Sequence, residues 1–343
     1  MSTSDCSVIV LAGTYQWSGS RFQGLAPPPL VPVAQRPLIS YALRWARKGG
    51  LRSATVCANH ASRAVEAALG HGAEFDMDLR YHEDFTPRGA AGCVRDAGLG
   101  MGSDTLVVAD GTAIPTVDLG ELLDWHRASG AAVTAVVHRS STAPPIPSGV
   151  YVFERRVLSH IPNTGFQDIK EFLIPKLHRA GERVVAHETD GICPRVLNAQ
   201  TYLAVNRWTL ERLAYGGQEE GEEPLVHPSA GVETGARLVG PVQLGPRVRV
   251  QAGAMIVGPS SIGADSTVGS NAVVASSAVW RGCLLGEGSL LHGCVVGDGG
   301  VVPPASRLFH VVSAAEPPRP SPRSASLFRW GSRPPTPATH PVH

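Results

Sequence analysis

A chain of 343 residues, 43% hydrophobic and 17% charged, carries enough apolar material for the cores of two ordinary domains. Its formal net charge of +1 supplies no global field for nucleic acid or an anionic membrane, so neither is an expected partner and an anionic ligand must be held locally. Six scattered cysteines without a C-x-x-C pair, no apolar run as long as the roughly 18 residues of a membrane span, and no basic-then-apolar leader predict a reduced, cytoplasmic, unsecreted protein.

Val8 to Ala12 form a short apolar run ending at Gly13, which predicts a buried parallel strand entering a loop. From Leu38 to Lys48, Leu38, Tyr41, Ala42 and Trp45 recur at helical spacing, and Gly49-Gly50 ends the helix. Ala54 to Cys57 is the next strand, which completes a βαβ unit. A helix over Ala61 to Leu69, a strand over Thr105 to Ala109, a helix over Leu119 to Ser129 and a strand over Ala132 to Val137 continue the alternation. This order predicts an α/β fold, with a doubly wound, Rossmann-like domain over residues 1–212. Ligands of such sheets collect beyond the carboxyl ends of the strands, so the segments after Gly13 and Asp110 are the candidate site.

Residues 213–229 then read as an acidic linker, with Glu219, Glu220, Glu222 and Glu223 among glycines. Beyond it an apolar residue returns every sixth position: Val232, Leu238, Leu244, Val250, Ile256, Ile262, Val268 and Val274. One slip resumes the series at Val279, Leu285 and Leu291, and another at Val296. A six-residue period with glycine after many of the apolar positions is the mark of a left-handed parallel β-helix, expected over residues 230–312. Each turn points its apolar residues inward, and stacking buries one continuous core. Residues 313–343, rich in Pro, Ser and Arg, are expected to be a disordered tail.

Several segments occur in an order that resembles the sugar-1-phosphate nucleotidyltransferases, the nucleotide-sugar pyrophosphorylases. Leu11-Ala12-Gly13 followed by Pro27 to Val33 is similar to the family's L-A-G-G-x-G-T-R and P-K-P-L-x-P-V at the same spacing. His82 to Gly92 resembles the base-recognition segment, with Gly89 and Gly92 in register. Val107 to Asp110 resembles the strand that presents a metal-binding aspartate. Ser148 to Phe153 is similar to N-A-G-I-Y-x-F, with Gly149 at the sugar-facing glycine, and Asp168 to Leu177 matches the helix after it.

The resemblance implies a reaction in which a nucleoside triphosphate and a sugar 1-phosphate give a nucleotide-sugar and pyrophosphate. It implies Mg²⁺ on Asp110, which would be both catalytic and metal-binding, and nucleotide contacts at Leu11, Ala12, Gly13, Gly89, Gly92 and Gly149. Charge on the transferred phosphoryl group must be met by cations. Here the family's positions depart: Thr14 to Ser18 replace G-x-G-T-R, Pro28 replaces the lysine of P-K-P-L, and Arg195 falls where a second metal aspartate stands.

These departures leave the enzymatic activity open, and the expectation is a family member with a degraded phosphate and metal site that retains nucleotide or nucleotide-sugar binding. The alternative is a non-catalytic regulatory or scaffold partner of an active paralogue, assembled as a homo- or hetero-oligomer through the β-helix. A more remote alternative is a hexapeptide-repeat acyltransferase, with His126, His138 or His292 as general base.

Overall fold

The computed structural model describes residues 6–13, 21–59, 62–83, 88–139, 144–190, 194–216 and 225–313. Its first unit starts from β1 (Cys6–Leu11), in which Val8, Ile9, Val10 and Leu11 are all buried. A strand covered on both faces has no polar side to alternate with, and so reads as a continuous apolar run. A small hairpin of β2 (Pro32–Val33) and β3 (Arg36–Pro37) precedes α1 (Ile39–Lys48), which buries Ile39, Ala42, Leu43 and Ala46 along one stripe. Then come β4 (Ser53–Ala58), α2 (Ser62–Leu69), β5 (Asp78–Glu83), α3 (Gly89–Leu99), β6 (Thr105–Asp110) and α4 (Leu119–Ser129). Asp118 caps α4 by accepting from the Glu121 amide, and Gly130, with φ of 61°, ends it. β7 (Val133–His138), β8 (Ile146–Glu154), α5 (Ile174–Arg179), β9 (Val184–Thr189) and α6 (Ala199–Tyr215) complete the unit.

These strands form one seven-stranded sheet in the order β5-β4-β1-β6-β8-β7-β9. β5, β4, β1 and β6 are parallel, as a wound α/β sheet requires, but β8 runs antiparallel between β6 and β7. The sheet is therefore Rossmann-like on one side and mixed on the other. The chain between β7 and β8 is too short for a crossover, and only an antiparallel neighbour can be reached that way. Helices α1, α2 and α4 pack one face, and α3 with the segment from Val157 to Leu177 packs the other.

The second unit is three five-stranded parallel sheets wound as a β-helix, the left-handed kind that the hexapeptide period specifies. Val250 pairs with Val268, eighteen residues on, whereas Val268 pairs with Leu285 and Leu285 with Val302, seventeen on. The slips seen in the repeat are thus single residues dropped from a turn, which leaves the ladder in register. Leu244, Val250, Ile256, Ile262, Val268, Val274, Val279, Leu285, Leu291 and Val296 all lie in the buried core. Val232 keeps the period but is 42% exposed, because it stands on the first coil with no turn stacked beneath it.

Strand pairing already begins at Val226, bridged to Leu244, and α6 runs to Tyr215, so ordered structure enters both ends of the expected 213–229 linker. At the far end Ser313 still pairs with Val296. The expected tail from 314 on, and the acidic residues 217–224, lie outside the described residues. The two units meet where α6 lies against the third sheet. Phe22, Tyr202 and Trp280 share one buried cluster there with Val31, Val33 and Val196. Among the described residues no helix is long and apolar enough to cross a membrane. Cys93, Cys283 and Cys294 are free thiols.

His126, on the buried side of α4, sets Nδ1 2.7 Å from Thr134 Oγ1 and Nε2 3.1 Å from Glu154 Oε1. Burial pushes its pKa below the usual 6.5, against the pull of Glu154 and with the help of Arg127 and Arg156; burial lowers that of His138 as well. Below 6.5 the unfolded chain takes up protons that the folded chain resists, so stability is full above that pH and is lost as the pH falls through the lowered values. The thermal midpoint should therefore drop between about pH 7.5 and about pH 5.5. His126→Asn combined with His138→Asn should flatten that slope, and an unchanged slope in the double variant would contradict the assignment.

Candidate functional site

β1 and β6 are parallel neighbours whose last residues, Leu11 and Asp110, stand directly opposite each other. Their carboxyl ends mark the candidate site. Beyond β1 the Ala12 amide donates to Cys57 O at 2.7 Å, and Asn59 Nδ2 donates to Gly13 O at 2.6 Å. A Cβ on Gly13 would stand 2.7 Å from the Asn59 amide, so only glycine lets the end of β4 close on this turn. Thr14 to Ser18 lie outside the described residues. Pro28 starts a 3₁₀ turn, Pro28–Leu30, just before the β2–β3 hairpin, where the Tyr202 hydroxyl donates to Pro32 O at 2.6 Å.

Asp110 is engaged at both carboxylate oxygens. Oδ1 accepts from the Thr112 amide at 2.9 Å and from Thr112 Oγ1 at 2.7 Å, while Oδ2 accepts from Arg195 Nη2. The side chains are only 7% and 11% exposed, which makes this a shielded ion pair. Arg195 is placed by a short antiparallel bridge to Ala113, flanked by Ile114 N to Pro194 O at 3.0 Å and Val196 N to Thr112 O at 2.9 Å. Gly149, with φ of 88°, backs the carboxylate so closely that a Cβ there would be 2.8 Å from Asp110 Cβ. Ser148 orients that turn, donating to Val136 O and accepting from the Val150 amide, both at 3.0 Å.

This arrangement does not fit the Mg²⁺ that the sequence led one to expect. A divalent ion needs free carboxylate oxygens, and here a guanidinium covers one and Thr112 the other. Among the described residues no group of three or more His, Cys, Asp or Glu side chains is placed to hold a metal.

Gly89 and Gly92 lie at the start of α3, where His82 and Glu83 end β5 and residues 84–87 lie outside the described part. Gly89 has φ of 75°, and a Cβ on it would meet Gln167 O at 2.5 Å; one on Gly92 would meet Arg88 Cβ at 2.7 Å. Both are closely packed, Gly89 against the Gln167 backbone and Gly92 against the Arg88 side chain, and Ala91 N to Gln167 O at 3.0 Å with Gln167 N to Arg88 O at 2.6 Å shows how tight the packing at Gly89 is. Arg88 pairs with Asp96 at 2.9 Å. Asp168 caps the turn that follows it, accepting from the Lys170 and Glu171 amides.

The structure thus brings Leu11, Ala12, Gly13, Asp110 and Gly149 together at the carboxyl ends of β1 and β6, with Gly89 and Gly92 at the start of α3. Sequence reasoning missed Asn59 and Gln167, whose roles rest on contacts between distant segments. His126 lies at the opposite end of the sheet, beside the start of β6 through Thr105 and Glu154. His292 stands on the outer face of the β-helix, its ring 5.5 Å from that of His310.

Comparison with known proteins agrees with this fold. The nucleotidyl transferase family profile matches residues 7–173. The mannose-1-phosphate guanylyltransferase of Mycobacterium tuberculosis is 25% identical over 277 residues, 71% of this chain and 76% of that one. The UTP–glucose-1-phosphate uridylyltransferase of Synechocystis is 24% identical over 285 residues, 69% of this chain and 73% of that one. A solved structure from Bacillus anthracis, assigned as a glucose-1-phosphate thymidylyltransferase, superposes with a TM-score of 0.52 at 17% identity, over 59% of this chain and 94% of its own, and shares the fold. Over residues 7–173 the chain thus matches the nucleotidyl transferase family, and over about 70% of its length it is similar to the sugar-1-phosphate nucleotidyltransferases.

Proposed function

We propose that this protein is a cytoplasmic family member that binds a nucleotide or nucleotide-sugar without turning it over, and serves as a non-catalytic regulatory or scaffold partner of an active paralogue. The single observation that carries the reading is the Arg195–Asp110 pair, which occupies the carboxylate the transfer reaction would need for a metal. Nucleotidyl transfer from a triphosphate depends on cations that neutralise the departing pyrophosphate. The replacement of the family lysine by Pro28 removes another, since proline offers neither charge nor N–H. Gly13, half-buried just beyond β1, is the backbone that a ligand at the strand ends would meet, with Gly149 packed behind Asp110. Gly89 and Gly92 position the helix beside them. The β-helix is the surface through which we expect homo- or hetero-oligomers to form.

The test pairs binding with turnover. Guanosine, uridine and thymidine diphosphate sugars, and the matching triphosphates with sugar 1-phosphates, are screened by thermal shift, and pyrophosphate release is measured on the same mixtures. At least one nucleotide-sugar should raise the melting midpoint, while release stays near background. Turnover of about 1 s⁻¹ or more, within the ordinary enzyme range, would overturn the non-catalytic reading. A midpoint that moves with none of the ligands would overturn the binding.

A further inference from the structure

The clash between the implied metal and the observed pair has a chemical reading of its own. We propose that Arg195 is the built-in cation of the crevice: its guanidinium holds the Asp110 carboxylate in place of a divalent ion, so that a pyrophosphate-bearing nucleotide binds here without metal. This rests on the nucleotide-binding function proposed above.

Charge balance supports it. A divalent ion between two carboxylates is neutral, and so is one guanidinium against one carboxylate. The exchange therefore leaves the net charge at the strand ends unchanged while making the cation part of the chain. A guanidinium stays protonated at any pH the protein survives, so this cation is neither released nor titrated.

Geometry supports it as well. Arg195 is positioned by backbone on both sides, through the bridge to Ala113 and the bonds of Ile114 and Val196, and Val196 and Ile114 are buried in the cluster that joins the two units. Asp110 is held by its strand register with Leu11, by Thr112 and by the close back of Gly149. Neither partner can swing away without disturbing packed neighbours. A divalent ion arriving at Asp110 would meet a like charge in a shielded place.

Two measurements on the full chain decide the matter. The first is titration of the nucleotide-sugar found in the binding screen, once with Mg²⁺ and once with EDTA. Its Kd should agree between the two within about twofold, a coupling between metal and ligand close to zero. Binding more than about tenfold tighter with Mg²⁺ would overturn the built-in cation and leave the binding function standing. Binding in neither condition would instead overturn the binding function and, with it, the claim of metal-free ligand binding.

The second measurement needs no nucleotide: equilibrium dialysis against Mn²⁺, with bound ion read by electron paramagnetic resonance. Wild type should retain none at this site, whereas Arg195→Asp, which sets two carboxylates face to face, should gain one ion that Asp110→Asn added to it removes. Mn²⁺ bound to wild type and lost in Asp110→Asn would overturn the proposal, whether or not the Arg195→Asp chain folds.

Discussion

Ile262→Asp should unfold the β-helix. Ile262 is fully buried, paired with Leu244 on the preceding coil and with Val279 on the next, in the middle of the apolar stack. An aspartate there has no cation within the core to meet it. Burying an unpaired charge costs several kcal/mol at least, against a whole-domain stability of about 5–15 kcal/mol. Because each coil is stabilised chiefly by its two neighbours, loss at a central rung propagates along the stack. Ile262→Val, which removes one methylene, should cost only about 0.5–1.5 kcal/mol. Circular dichroism melts of the two variants separate these outcomes, and an Ile262→Asp midpoint within about 2 °C of wild type would show that the stack is not the core it is taken for.

The second large effect is expected at the junction of the two units. Trp280, on the β-helix, donates through Nε1 to the Tyr202 hydroxyl of α6 at 2.9 Å, and that hydroxyl donates to Pro32 O at 2.6 Å. Burial pushes the Tyr202 pKa up, which keeps it a donor. Phe22 completes the cluster, its ring 5.0 Å from Tyr202 and 6.3 Å from Trp280. Beside it Asn206 ties the same helix to Ser261 at 3.2 Å and accepts from the Ala34 amide at 2.9 Å. Trp280→Ala leaves a large void in this buried contact and should cost about 3–5 kcal/mol. Since the lost contact is the one between the units, their unfolding should separate: one calorimetric transition in wild type, two in the variant. A single unshifted transition in Trp280→Ala would show that the cluster does not couple them.

The same junction carries consequences for the crevice. The β2–β3 hairpin, with Ala34 and Gln35 in the left-handed region, continues from the Pro28 turn and is held by α6, which starts four residues after Arg195. The β-helix therefore braces both the hairpin and the residue that pairs with Asp110.

The features legible in the sequence are those that burial writes locally. A period of six survives as a pattern because every coil meets the same environment, and the positions from Leu244 to Val296 are apolar for that reason. The runs Val8–Leu11 of β1 and Leu106–Ala109 of β6 are apolar throughout because both of their faces are covered. The carboxyl-end location of Asp110 follows from the strand and loop order alone.

What only the tertiary structure decided is direction, partnership and cause. An apolar run reads the same in either direction, so nothing in Val150 to Phe153 marks β8 as antiparallel until its place beside β6 is known. Glycine permits close approach without naming what approaches, and only the fold shows Gln167 against Gly89 and Arg88 against Gly92. Arg195 was visible as a cation where an acid was expected, but the residue it neutralises lies 85 positions away. Periodicity and composition are set by the residue's own burial, whereas an ion pair between distant segments, such as Arg195 with Asp110, exists only once the chain has folded.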